Sequence, residues 1–313
     1  MNAQRDVWIR EVGTRDGLQS IETVLSTEAK LHWIEKESLS GIPEIEVGSF
    51  VPPKLLPQMA DTKEVVQESL LIDDLKVSVL VPNFRGAMDA MASGANQLNY
   101  VLSVSEAHSQ SNVRKSVHQA IDDFEKILDF RDQHPEYQST KVGIGLATAF
   151  GCTISGEIKL KSVMEVTERI IALKPDEIAV ADTVGYGNPA QTKEIFREIV
   201  AVACDCPVAA HFHDTRGLGL ANVCAALEVG VTRFDSSLGG LGGCPYAPGA
   251  SGNVVTDDLV FMLEAMGLNT GVNLDQLLET RNYMESCLRG EVTRGAIATA
   301  GVPKGFRVGV MTF

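Results

Sequence analysis

Two of the chain's six histidines, His211 and His213, stand one residue apart in PVAAHFHDTRGLGLANV, residues 207–223, with Asp214 directly after. Residues i and i+2 of a strand share a face, about 7 Å apart. Both imidazoles therefore point one way and Phe212 the other. Such a pair is either a hydrogen-bonded couple in the core or, with oxygen donors beside it, a metal site. Asp16 in EVGTRDGLQ and Asn253, which closes GGLGGCPYAPGASGN at residues 239–253, can supply those donors. Two imidazoles, a carboxylate and an amide oxygen form a hard set without thiolate. It suits octahedral Mg2+ or Mn2+ better than structural zinc. The other histidines, 32, 108, 118 and 134, fall in helices or loops, and only His108 lies near the same end of the molecule.

Arg15, next to Asp16, can hold a carboxylate or stabilise an enolate oxygen. The 239–253 stretch has six Gly and two Pro in 15 residues, a composition suited to a lid. Cys244 stands in its middle, where a thiol near a cation can exchange protons. The other five cysteines, 152, 204, 206, 224 and 287, read as packing residues.

These groups need a scaffold that brings distant segments together. Eight short β-rich runs recur: 7–13, 44–50, 76–83, 97–104, 141–150, 176–185, 207–215 and 233–242. Each reads as apolar on both faces, as in a buried parallel sheet. Helical patterns with recognisable ends separate them. Ser26 or Thr27 can cap one that stops at Gly41, and Asn188 followed by Pro189 opens another. Thr256 can cap a third that ends at Gly267. Eight such units predict an α/β fold, a (β/α)8 TIM barrel over 1–267 with a Gly-rich lid loop. Residues 268–313 then form C-terminal helices and a tail packed on the barrel. An open doubly wound sheet is the alternative, but no GxGxxG follows the first strand.

Active sites of such barrels lie at the C-terminal strand ends. The polar residues predicted there are Arg15, Asp16, Glu46, Ser49, Asn83, Arg85, Ser105, Glu106, Asp182, Thr183, His211, His213, Asp214, Cys244 and Asn253. The bulk composition fits this picture. In 313 residues, 44% are hydrophobic and 22% charged, as in ordinary globular proteins. A net charge of −14 argues against nucleic acid as main partner. No apolar run suggests a membrane span. The N-terminus enters an apolar run by Val7, leaving no room for a targeting peptide, and CDC at 204–206 is no zinc motif. The expectation is a cytoplasmic protein with free thiols.

Together these motifs resemble the 3-hydroxy-3-methylglutaryl-CoA lyase family. The resemblance runs from EVGTRDGLQ through GSFVPPKLLPQMAD, VADTVGYGNP and HFHDTRGLGLAN to GLGGCPYAPGASGNVVTDDLVFML, the most specific of them. It implies a divalent cation, Mg2+ or Mn2+, on Asp16, His211, His213 and Asn253. It implies catalytic roles for Arg15 and Cys244, with Glu46 and Asp182 supporting the site, and it suggests a homodimer. The activity implied is cleavage of a 3-hydroxyacyl-CoA ester to acetyl-CoA and a ketone. Ser49, Asn83, Arg85, Asn112 and Thr183 are the substrate-binding candidates, with the pantetheine arm crossing Asn83, Arg85 and Asn112. The base that takes the hydroxyl proton stays open between Asp16 and a water linked to His211. Thr14 stands where the family has Pro, and Ser20-Ile21 where it has Asn-Glu. Both border the substrate acid, so citramalyl-CoA stands beside 3-hydroxy-3-methylglutaryl-CoA as a candidate. A metal hydrolase and a catalytically silent barrel are the competing classes.

Overall fold

The computed structural model describes residues 5–242 and 252–306. Its eight strands are β1 (Trp8–Glu11), β2 (Glu44–Ser49), β3 (Lys76–Val81), β4 (Gln97–Ser103), β5 (Lys141–Ala147), β6 (Glu177–Asp182), β7 (Val208–Phe212) and β8 (Arg233–Ser236). All neighbours pair in parallel, and β8 returns to β1 to close the barrel. Closure leaves no sheet edge to shield.

Outside the strands run α1 (Thr27–Leu39), α2 (Thr62–Ser69), α3 (Phe84–Ser93), α4 (Glu106–Val113), α5 (Val117–Gln133), α6 (Leu160–Ile171), α7 (Pro189–Ala203), α8 (Gly219–Leu227) and α9 (Thr256–Ala265). The fourth unit carries both α4 and α5. Then α10 (Leu274–Cys287) packs across α1 and α9, and α11 (Ala296–Ala300) packs against α9. Arg281 of α10 meets Asp257 of α9 at 2.6 Å, and Tyr283 lies edge-on to His32 of α1. No helix among the described residues is long and apolar enough to cross a membrane.

The helix starts follow from their side chains. Ser26 Oγ accepts the Ala29 N–H, and Asn188 accepts from Ala190 and Gln191 ahead of Pro189. Thr256 departs from the expected capping role. It sits inside the helix, and its hydroxyl donates to Glu11 Oε2 at 2.6 Å. A buried carboxylate is the stronger claimant for that hydrogen, because an unmet charge costs more than an uncapped amide.

The strands also differ from the expectation that they are apolar on both faces. Their outward rows are apolar and fully covered by helices: Leu98, Tyr100 and Leu102 on β4, Val142, Ile144 and Leu146 on β5, Ile178 and Val180 on β6. Their inward rows are mostly polar or small, with Leu80 on β3 and Val101 on β4 as the larger apolar members. Arg10 reaches across the barrel from β1 to Glu177 on β6, and also meets Glu44 at 2.6 Å and Asp235 at 3.3 Å. Lys76 lies 3.1 Å from Glu44, and Arg233 lies 2.9 Å from Glu177. Gln97 adds a hydrogen bond to Glu177. This polar layer forms the floor of the barrel.

Candidate active site

Above that floor, at the C-terminal strand ends, the separated motifs converge. A wide helical turn, Gly13–Gly17, follows β1 and carries Arg15 and Asp16 inward, both buried. Glu11 fixes this turn from below. Its Oε1 accepts the N–H groups of Gly13 at 2.7 Å and Leu238 at 2.9 Å, tying the turns after β1 and β8 to one carboxylate. Position 13 must be glycine, since a Cβ there would stand 2.6 Å from Glu11 Oε1. Burial, only partly offset by these hydrogen bonds, raises Glu11 to about 7.

Nε2 of His211 and Nε2 of His213 lie 3.2 Å apart, and Asp16 Oδ2 lies 3.8 and 3.7 Å from them. The three residues can present one ligand atom each within 4.8 Å of one another. Octahedral ligands at Mg2+ distances sit about 3.0 Å apart, so a small ion fits with slight contraction. Asn253 completes the set. Its carboxamide touches Asp16 Oδ2 through Nδ2 at 2.7 Å, while Oδ1 is buried without a partner among the described residues. Turned end for end, the amide puts Oδ1 beside the carboxylate, an arrangement two oxygens accept around a cation.

Burial alone would raise Asp16, but Arg15, His211, His213 and the Asn253 hydrogen bond outweigh it and hold it at about 2. Burial and the neighbouring His211 push His213 down to about 4. His211 goes the other way. Burial would lower it, but the Asp235 carboxylate, 3.0 Å from Nδ1, outweighs that and raises it. Asp235 thus occupies the Nδ1 edge of His211 and leaves Nε2 facing Asp16.

Arg15 is clamped between Asp16, at 2.5 Å, and Glu46. The other Glu46 oxygen accepts from Asn99 Nδ2 at 2.9 Å, and Gln19 Nε2 meets Asp16 Oδ1 at 2.8 Å. Ser49 follows a register shift in β2, is buried, and its Oγ has no partner among the described residues. Asp182 turns away from this cluster. Its two oxygens accept the amides of Tyr186 and Gly187, so it shapes the loop after β6. Burial raises it to about 6, against the pull of those amides. Thr183 accepts the Thr148 N–H through Oγ1, which joins that loop to the end of β5.

The remaining strand-end residues have local roles. Asn83, Ser105 and Asp214 accept amides at the starts of α3, α4 and α8. Arg85 is exposed beside Asp89, and Asn112 is exposed on α4, so neither is brought to the cluster. Cys244 lies outside the described residues.

Asp235, Asn99, Gln19 and Glu11 are absent from the sequence-derived site. A signal for two of them existed. Arg233 and Asp235, and Gln97 and Asn99, are polar pairs at i and i+2 inside strands, the period that marks one face.

The HMGL-like family model matches residues 6–284. Hydroxymethylglutaryl-CoA lyase YngG of Bacillus subtilis is 38% identical over 281 residues, 90% of this chain and 93% of that protein. The human mitochondrial hydroxymethylglutaryl-CoA lyase is 39% identical over 280 residues, 89% of this chain and 84% of that one. An HMG-CoA lyase from Acinetobacter baumannii, solved with coenzyme A and 3-methylmalate, superposes with a TM-score of 0.90 at 39% identity, covering 98% of this chain and 99% of its own. The carboxyl transferase domain of Rhizobium etli pyruvate carboxylase, 18% identical with a TM-score of 0.67, shares the barrel. With its family model covering most of the sequence and its candidate metal ligands gathered at one barrel mouth, this chain belongs to the HMGL-like family of hydroxymethylglutaryl-CoA lyases.

Proposed function

We propose that this chain cleaves the C2–C3 bond of 3-hydroxy-3-methylglutaryl-CoA, giving acetyl-CoA and acetoacetate. The observation that carries the reading is the mouth itself, where Asp16, His211, His213 and Asn253 meet beside a clamped Arg15. Those four residues would hold the divalent cation, Mg2+ or Mn2+. When bound, it supplies Lewis acidity that lowers the pKa of the substrate hydroxyl.

The protein's own groups account for the rest. Asp235 orients His211 so that Nε2 serves the site. Glu46 and Asp16 fix the Arg15 guanidinium at the mouth, where its positive charge meets the oxygen that becomes negative as the thioester enolate forms. Loss of the hydroxyl proton turns C3 into a ketone, and the C2–C3 electron pair passes into the enolate. Cys244 is the proposed donor of the proton that C2 then takes up. The buried Ser49 hydroxyl, together with Thr183, is proposed to hold the acid end of the acyl group. Arg85, exposed on the first turn of α3, is proposed to meet the phosphates of CoA.

A second reading is cleavage of citramalyl-CoA to acetyl-CoA and pyruvate. It is favoured by the ligand of the Acinetobacter lyase, 3-methylmalate, an isomer of the citramalyl acid. One assay tests both. Purified enzyme is stripped with chelator, reloaded with Mg2+ or Mn2+, and given each ester. Acetyl-CoA and the partner ketone should appear after reloading and fall at least about 100-fold without metal. Undiminished turnover in fully demetallated enzyme defeats the metal-dependent reading, and pyruvate as the main ketone replaces the first substrate with the second.

A further inference from the structure

Inward positions of a closed barrel reach solvent only through its ends. On the outward rows of β4, β5 and β6 the side chains are fully covered, yet on the inward rows Asn99, Val101, Gly145, Ala179 and Ala181 remain partly accessible, as does Leu80 on β3. Solvent does not reach them from below. Gln97 and Glu177, beneath them on the inward rows of β4 and β6, are 2% and 3% exposed, and Glu177 is locked to both Gln97 and Arg10. These six residues therefore line a recess that opens only at the mouth. Ala181 pairs in register with His211, which puts the recess directly beside the candidate metal ligands.

The recess has a distinct chemistry. Leu80, Val101, Gly145, Ala179 and Ala181 make its wall apolar, and the one polar lining residue, Asn99, is already bonded to Glu46 and Gln97. Among the described residues the cation at this end of the interior is Arg15, already clamped by Asp16 and Glu46. A carboxylate pushed into it would be desolvated without a partner. It is also roomier than the sequence needs. A Cβ built on Gly145 meets only Tyr100 O, at 3.9 Å, and the backbone there is ordinary extended strand. Any L-residue fits that backbone, so the missing side chain is space kept open rather than strain avoided.

We infer that this recess seats the alkyl substituent on C3 of the acyl group and that Gly145 sets its size, so that the enzyme accepts 3-hydroxyacyl thioesters with C3 alkyl groups larger than methyl. The inference rests on the lyase reading above and refines its substrate class. The acid end stays near Arg15 and Ser49, the thioester lies toward the mouth, and the third substituent points down the apolar wall.

The test compares 3-hydroxy-3-methylglutaryl-CoA with its 3-ethyl and 3-propyl homologues on the metal-loaded enzyme. Wild type should cleave the three with kcat/KM values within about 10-fold of one another. Gly145→Val should lower the propyl-to-methyl ratio of kcat/KM by about 100-fold, whatever it does to the methyl ester itself, the scale on which added methylenes are discriminated. Gly145→Ala, the smaller change, should fall between them and guards against a folding defect in the valine variant. Cleavage of the methyl ester with the propyl ester at least 100-fold worse in wild type overturns the inference alone. So does an equal loss for all three esters in a folded Gly145 variant. Failure of wild type to cleave any of them defeats the lyase reading and this inference with it.

Discussion

The floor and the mouth of the barrel both bury charge, but they balance it differently. On the floor, Arg10, Lys76 and Arg233 face Glu44, Glu177 and Asp235, three positive against three negative, with contacts of 3.4 Å or less. Trp8 adds a hydrogen bond to Glu44 and a face for Arg233. At the mouth, Arg15 alone faces Asp16 and Glu46, one positive against two negative. The mouth also holds orphaned polar atoms, Asn253 Oδ1, His213 Nδ1 and Ser49 Oγ among the described residues. A network whose charges cancel and whose groups are mutually satisfied is structure. One that is short of a positive charge, with donors and acceptors left over, is waiting for a ligand.

Three substitutions break or sharpen that contrast. Arg10→Met should have the largest effect. It leaves three carboxylates facing two cations at the floor, a loss of about 3–5 kcal/mol. Chemical denaturation should read it as a shifted midpoint at unchanged slope. A loss below about 1 kcal/mol would mean that the floor is solvated and not a sealed layer.

Glu11→Gln comes next and probes a buried carboxylate with no cation beside it. Glu11 stands at about 7 in the folded chain against about 4.5 unfolded. Below pH 4.5 both states hold the proton and it costs nothing. From pH 4.5 to 7 the unfolded state gives up the proton while the folded state keeps it, so stability is lost across that window and levels off above 7. Glutamine keeps the Oε1 acceptor for Gly13 and Leu238 and removes the ionisation. The variant should therefore gain on wild type by about 2–3 kcal/mol between pH 5 and pH 8, measured by denaturation at both. A difference that stays constant with pH would show that Glu11 does not titrate there.

Asp235→Asn is the smallest and most selective, because Asp235 belongs to both ends. It loses one of three carboxylates on Arg10 and stops dictating which nitrogen of His211 carries hydrogen. Calorimetric titration with Mn2+ should show affinity reduced about 10–100-fold, with unfolding changed far less than in Arg10→Met. Unaltered affinity would confine Asp235 to the floor.

The same contrast explains what was legible in the sequence. All eight strands could be read, because β-branched and aromatic runs between turn residues are a local signal. Ser26 and Asn188 were readable as caps for the same reason. His211, His213 and Asp16 stood out because their types are scarce or carry motifs. Asp235 did not, because one acid in RFDSS gains meaning only when β8 lies against β7 and β1. Thr256 was misleading because its competitor, Glu11, is 245 residues away in sequence. Arg85 looks like a strand-end residue in the sequence, but the turn that follows β3 carries it outward onto a helix. Local chemistry is written locally. The balance of charge across a barrel is a sum over eight strands, and no single window contains it.

The sealed floor has a kinetic consequence. A barrel closed at one end is a vessel with a single doorway, and a cleavage reaction fills it with two molecules where one entered. In the proposed pose the fragment formed deeper, the ketone, lies beneath the thioester whose long arm occupies the doorway. Departure therefore has a sequence: acetyl-CoA leaves first and the ketone second. The ketone is then the last product on the enzyme and competes with the incoming ester for the empty site, while acetyl-CoA inhibits in a mixed pattern.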